Sequence, residues 1–220
     1  MWQRLSFALE RARRPVGGTR RVHVDDPLAA QRLSAAILEG LVSRRPAPAA
    51  VTVLCIGTDR STGDALGPLV GTRLLDVGCP RARIMGTLDD PVHAANLHQV
   101  LEGLQRRAAS RDHVVIAVDA CLGRTESVGW IAMKPGPLRP GTGVHKELPA
   151  VGDFHIMGIV NVGGFMEYFV LQNTRLSLVM RMANIIAEGL RLGLEQWSAV
   201  REAAAARPAS PASPVSSPQP

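Results

Sequence analysis

The chain has 220 residues, 46% of them hydrophobic and 20% charged, which is the size and balance of one globular domain with a sizeable core. Aromatic residues make up only 4%, leaving little material for stacking against single-stranded nucleic acid. The net charge of +6 is concentrated in residues 1–50, where nine arginines face four acids, so a nucleic-acid-binding body is excluded and only weak phosphate binding through a basic arm remains open.

In chain order, residues 1–21 read as that basic, flexible arm, residues 22–203 as a single α/β domain, and residues 204–220 as a disordered Pro/Ser tail. The first firm element is a helix in "DDPLAAQRLSAAILEGL", with Asp26 as cap, Pro27 at the first helical position and Ala29, Leu33, Ile37 and Leu41 on one face. "VTVLCI" (51–56) is a strand, "GDALGPLVGTRLLDVG" (63–78) a helix and "RIMGT" (83–87) a weaker strand. "DDPVHAANLHQVLEGLQRR" reads as a helix capped by Asp90 with Pro91 at its start. "HVVIAVD" (113–119) is an unbroken apolar run of the kind central parallel strands show. "SVGWIAMK" (127–134) and "IMGIVNV" (156–162) are further strands, separated by a Gly/Pro-rich loop. A long helix over 173–202 puts Leu178, Met182, Ile185, Ile186, Leu190, Leu194 and Trp197 on one stripe.

Alternating strands and helices predict an α/β fold, with helices on both faces of the sheet and ligands bound at the carboxyl ends of the strands. No run reaches the roughly 18 apolar residues of a membrane span, and no signal peptide is visible, which predicts a cytoplasmic protein. Cys55, Cys79 and Cys121 show neither metal-type nor secreted-type spacing.

The candidate chemistry lies where the first strand ends, in "IGTDRSTGDALGP" (56–68). Asp64 at the following helix start and Asp119 at the end of "VVIAVD" would project into one crevice. Facing carboxylates repel when both are ionised, so such a pair can share a proton, activate water and protonate a leaving amine, or hold a cation. Each aspartate also has a plainer reading, as a carboxylate at a helix amino terminus or as a strand-end residue. The segment has neither a dinucleotide-binding glycine pattern nor a lysine-ended phosphate loop. Asp59 and Arg60 brace the turn or support the site. His93, beside Asp89 and Asp90, is a candidate at the crevice edge, and His155, before the last strand, is a candidate ligand or base.

"GTDRSTGDALGPLVGTRL", "GTLDDPVHAANL", "VDACLG" and "GIVNVGGFMEYFVLQNTRLSLVMRMAN", in this order, resemble the YyaC-type sporulation proteins of spore-forming bacteria, over residues 22 to about 195. That family is similar in turn to the spore germination protease and, more remotely, to the hydrogenase-maturation endopeptidases. The resemblance implies a three-layer α/β/α sandwich around a mixed, mostly parallel sheet, of the phosphorylase/hydrolase-like kind. It implies Asp64 and Asp119 as catalytic residues, with "RPGTGV" (139–144) matching a glycine-rich loop of the protease. Amides around Gly57 and the loop residues Gly141, Thr142 and Gly143 would then steady an oxyanion.

The reading this supports is an aspartate-dependent endopeptidase without a cofactor. It would act on a protein or peptide substrate during sporulation or germination, in the spore or forespore compartment, as a monomer or a homo-oligomer. In the alternative, Asp64, Asp119 and His155 hold a divalent metal ion as in the maturation enzymes. Those enzymes carry Glu at the position of Asp64, which favours the metal-free pair. A third reading is a non-catalytic sporulation protein that retains the fold.

Overall fold

The computed structural model describes residues 20–44, 47–107, 112–140 and 148–206. Six strands form one sheet: β1 (Arg20–His23), β2 (Ala50–Cys55), β3 (Arg83–Met85), β4 (His113–Gly123), β5 (Trp130–Pro135) and β6 (Phe154–Val162), in the order β1-β5-β6-β4-β2-β3. β3, β2, β4 and β6 pair in parallel, whereas β5 runs antiparallel to both β6 and β1. The β-branched run of β2 is buried on both sides after its first residue, which is why it reads as continuously apolar.

Helices α1 (Ala29–Val42), α2 (Leu66–Asp76) and α5 (Leu176–Ala205) cover one face, and α3 (Leu97–Arg107) covers the other. α5 packs along α1, where small residues let the two backbones approach. A Cβ at Gly193 would lie 3.0 Å from Ile37, and one at Gly189 would lie 3.0 Å from Leu33. Ile37, Leu41, Met182, Ile186, Leu190 and Leu194 fill that contact and are all but sealed from solvent. The fold is therefore an α/β sandwich around a mixed, mostly parallel sheet.

Several boundaries differ from the sequence reading, each for a local reason. Arg20 and Arg21 belong to β1 rather than to the arm, because they pair with Met133 and Ala132 of β5. Asp26 accepts a hydrogen bond from the Leu28 amide at 2.9 Å, so it closes a turn before α1 instead of capping the helix itself. Pro91 does not start α3. Val92 is drawn into a bridge beside Ile56, and the helix begins only at Leu97. Asn96 organises that detour, accepting from the His93 amide at 2.8 Å and donating to the Pro91 carbonyl at 2.9 Å. The long carboxyl-terminal helix is preceded by a short one, α4 (Glu167–Gln172). The side chains of Asn173 and Thr174 donate to the Phe169 and Val170 carbonyls, both at 2.8 Å, and so end α4 before α5 begins.

Two glycines fix how α2 sits on the sheet. A Cβ at Gly67 would lie 2.1 Å from the Ile56 carbonyl oxygen, and one at Gly71 would lie 2.0 Å from that of Gly86. The helix thus rests on bare backbone, with no room for a methyl group. Gly67→Ala should cost about 1–3 kcal/mol of stability, the usual range for overpacking a filled interior. Urea denaturation of the full chain measures this, and an unchanged midpoint would show that α2 can move off the strand end freely.

Candidate active site

At the carboxyl ends of β2 and β4 lies a cleft of about 470 Å³. β2 makes its last parallel pair at Cys55 with Val118, while β4 continues to Gly123. Asp119 is the next residue beyond that pair, so its carboxylate borders open space on the β2 side. A bulge between Cys121 and Leu122 bends β4 against β6 at the same level, a device sheets use to re-aim side chains.

Asp64 reaches the same cleft from the turn preceding α2, not from the helix itself. The turn closes through backbone contacts: the Thr58 amide donates to the Asp64 carbonyl at 3.2 Å and the Ala65 amide to the Ser61 carbonyl at 3.0 Å. Gly57, with φ of +146°, brings the two ends of this turn together; a Cβ there would lie 2.0 Å from the Asp64 carbonyl oxygen. Asp64 and Asp119 therefore line one cleft, as their positions at neighbouring strand ends predict.

Both carboxyls are harder to ionise than in water. Burial pushes Asp119 up to about 8, against one favourable backbone hydrogen bond from Ala120 at 2.8 Å, and the like charge of Asp64 adds to the rise. Asp119 keeps an accessible edge on the cleft, but protein surrounds most of it. Burial also raises Asp64, tempered by the nearby Ser61 hydroxyl. That hydroxyl is buried and meets no partner in hydrogen-bond geometry, so its help to Asp64 is incomplete. At neutral pH Asp119 therefore retains its proton.

The other sequence candidates divide. His93 lines the cleft, and its Nδ1 accepts from the Ala95 amide at 3.2 Å. Asp59 and Arg60 are exposed and outside the lining; Thr58 links them locally, donating to the Asp59 carboxylate and accepting from the Arg60 amide. Gly57 lines the cleft, but its amide donates to the Val92 carbonyl at 2.8 Å and cannot serve an oxyanion. Gly141, Thr142 and Gly143 lie outside the described residues.

His155 is not brought to the aspartates. It pairs with Ala117, two residues below Asp119 along β4, is buried outside the cleft lining, and donates through Nδ1 to the Gly136 carbonyl at 2.9 Å. Among the described residues no three His, Cys, Asp or Glu side chains converge closely enough to hold an ion. The donor set required by the metal reading is thus not assembled.

Sequence reasoning missed several lining residues. Cys121 follows Asp119 by two positions and so shares its face of β4, a signal that strand periodicity carries. Burial first, then Asp119, pushes its thiol up to about 11, which leaves it a poor nucleophile at neutral pH. Arg139 reaches the lining from the loop after β5, and Glu167, Tyr168 and Leu171 from α4. All four lie in stretches that carry the family resemblance, "RPGTGV" and "NVGGFMEYFVLQNTRL", but no periodicity assigns them to the cleft. No helix among the described residues is long and apolar enough to cross a membrane.

A family model described as "Protein of unknown function (DUF1256)" matches residues 21–189. A Bacillus subtilis (strain 168) protein named "Uncharacterized protein YyaC" is 54% identical over 167 residues, covering 76% of this chain and 80% of that protein. The chain belongs to the DUF1256 family and is a YyaC-type protein. The matched span includes all but the first residue of β1 and every cleft residue named above.

The raised carboxyls have a stability consequence with a definite sign. In the unfolded chain Asp119 ionises in the ordinary carboxylate range, but in the fold it keeps its proton until about pH 8. Its stabilising protonated state is fully present below the ordinary range and is lost as pH rises towards 8. The thermal unfolding midpoint of the full chain should therefore decline over that window, by on the order of 10 °C. Asp119→Asn should flatten the decline, and a melting profile identical to wild type at every pH would refute the assignment.

Proposed function

We propose that this member of the DUF1256 family is an aspartate-dependent endopeptidase of the germination-protease type, acting on protein during sporulation or germination. The observation that carries this reading is the convergence of Asp64 and Asp119, both resistant to ionisation, in one cleft large enough for a segment of polypeptide. The resemblance of "GDALGP" and "IAVDAC" to the protease's two catalytic segments points the same way. The chain's placement beside that protease and the maturation enzymes is part of the proposal.

In this mechanism the pair carries one proton and one negative charge. The ionised carboxylate takes a proton from water as the water oxygen attacks the peptide carbonyl carbon. The protonated partner hydrogen-bonds the carbonyl oxygen as it gains charge, and a proton then passes from the pair to the leaving amine as the carbon–nitrogen bond breaks. Asp119, the group more strongly raised by burial, is the proton holder, and Asp64 is the base. Arg139 supplies the positive charge in the cleft that the engaged Gly57 amide does not. Cys121 takes no part, because its thiol stays protonated.

Cleavage of proteins extracted from spores, followed with wild type and single variants, tests this. Asp64→Asn and Asp119→Asn should each lower the rate about 10²–10⁴-fold with the fold intact. Activity should fall as pH rises through about 8 and the shared proton is lost. A chelator should have no effect, and His155→Ala should be mild. Chelator-sensitive cleavage would overturn the metal-free mechanism, and wild type that cleaves nothing in the extract would overturn the enzymatic reading.

A further inference from the structure

The stretch "NVGGFMEYFVLQNTRL" is the most distinctive in the sequence, yet the aspartate chemistry uses none of it. Of the eight aromatic residues in the chain, three fall within 165–169. All three are turned outward: Phe165 is 82% exposed, Tyr168 60% and Phe169 54%. Met166 beside them is 52% exposed and has left-handed backbone, φ 50°, unusual for a side chain of its size. In a chain so poor in aromatics, such a group has no role in the core and is not scattered surface.

The segment is nevertheless held in place. The Gly63 amide, next to Asp64, donates to the Leu171 carbonyl at 2.9 Å. From β6, the Asn161 side-chain amide donates to the Val170 carbonyl and the Thr174 hydroxyl, both at 3.2 Å. Backbone at Leu171 thus fastens α4 to the turn that carries Asp64, the Asn161 side chain fastens it to β6, and the aromatic residues are left presented to solvent. Tyr168 and Leu171 also line the aspartate cleft, so Tyr168 belongs both to the exposed aromatic group and to the cleft wall.

Resting on the endopeptidase reading, we propose that the 165–169 segment is a docking wall for the substrate, and that it selects polypeptide carrying large apolar side chains beside the bond placed over Asp64 and Asp119. A second copy of the chain suits this surface less well. Tyr168 is both patch and cleft lining, so a copy seated there would close the cleft that a protein substrate must enter. A wall fixed in advance also spares a bound peptide the cost of ordering it.

The test reads binding and needs no turnover. Short fluorescein-labelled peptides of one Ser/Gly/Thr sequence, carrying either alternate Leu and Phe or Ser at those positions, are titrated by anisotropy into full-length Asp119→Asn. The apolar peptide should bind about tenfold tighter or better, as expected for burying one or two large apolar side chains. Adding Phe165→Ser and Phe169→Ser should erase the preference without lowering the melting temperature, since both residues are exposed. Phe165→Leu with Phe169→Leu should retain it. No preference, or one that survives the serine substitutions, overturns the proposal. So does gel filtration in which the serine variant turns a dimer into a monomer with peptide binding unaltered. Because binding is measured on a variant that does not cleave, failed proteolysis by wild type would sink the enzymatic reading and leave this result standing.

Discussion

The site depends on backbone lying directly on backbone between the end of β2 and the start of α2. Gly57 lets the chain fold back onto the Asp64 carbonyl, and Gly67 lets the first turn of α2 rest on the Ile56 carbonyl. With side chains at these positions the helix would stand off the sheet, and Asp64 would withdraw from Asp119. The glycines of "IGTDRSTGDALGP" are therefore spacing elements. They bring Asp64 into the cleft that Asp119 also lines, at a strand end where the hydrogen-bond ladder has already stopped on one side. No phosphate cradle is involved.

Holding two carboxylates there is unfavourable, and the fold carries that cost where it is useful. Asp119 has one hydrogen bond from its neighbour's amide, and Asp64 has an imperfect one from Ser61. At the opposite end of the sheet polar groups are far better satisfied. Arg44 pairs with Asp153, whose other oxygen accepts from the Val115 amide at 2.8 Å, and Thr52 is hydrogen-bonded to His113 across β2 and β4 at 2.9 Å. The amino-terminal ends of the strands are tied together, and the carboxyl-terminal ends are left with two carboxyls that burial makes hard to ionise.

Much of this was legible in the residues, and the parts that were not have physical reasons. The strands β2 and β4 announce themselves as apolar runs, the stripe on α5 by its period, and the aspartates by standing where those runs stop. Pro91 misled because a proline that suits a helix start equally suits an extended detour, and the pull of Val92 towards Ile56 decides between them. β1 was hidden because only four residues long and arginine-rich at its start, it is a strand solely through its pairing with β5. His155 was misplaced by one structural period: two residues along β4 and β6 separate the level of Ala117 from that of Asp119. Arg139, Glu167 and Tyr168 arrive from loops and a one-and-a-half-turn helix, where no periodicity exists to betray a shared destination.

The reversed direction of β5 has an architectural result. A parallel strand would deliver its following loop straight to the cleft, but β5 ends beside the start of β6, at the opposite end of the strands from the cleft, and Leu138 and Val151 beyond it pack on the α3 face. The two described legs of this connection are joined by the Leu138–Val151 bridge, and Leu138, Arg139, Pro140 and Leu148 on them line the cleft. The two legs meet the sheet at Pro135 and Phe154, which pair with each other. That pair sets the register of β5 against β6 where the strands meet the connection. The walls and the floor of the cleft therefore come from separate parts of the chain: these legs supply Leu138, Arg139, Pro140 and Leu148, while the two aspartates stand on the β2–α2 turn and on β4.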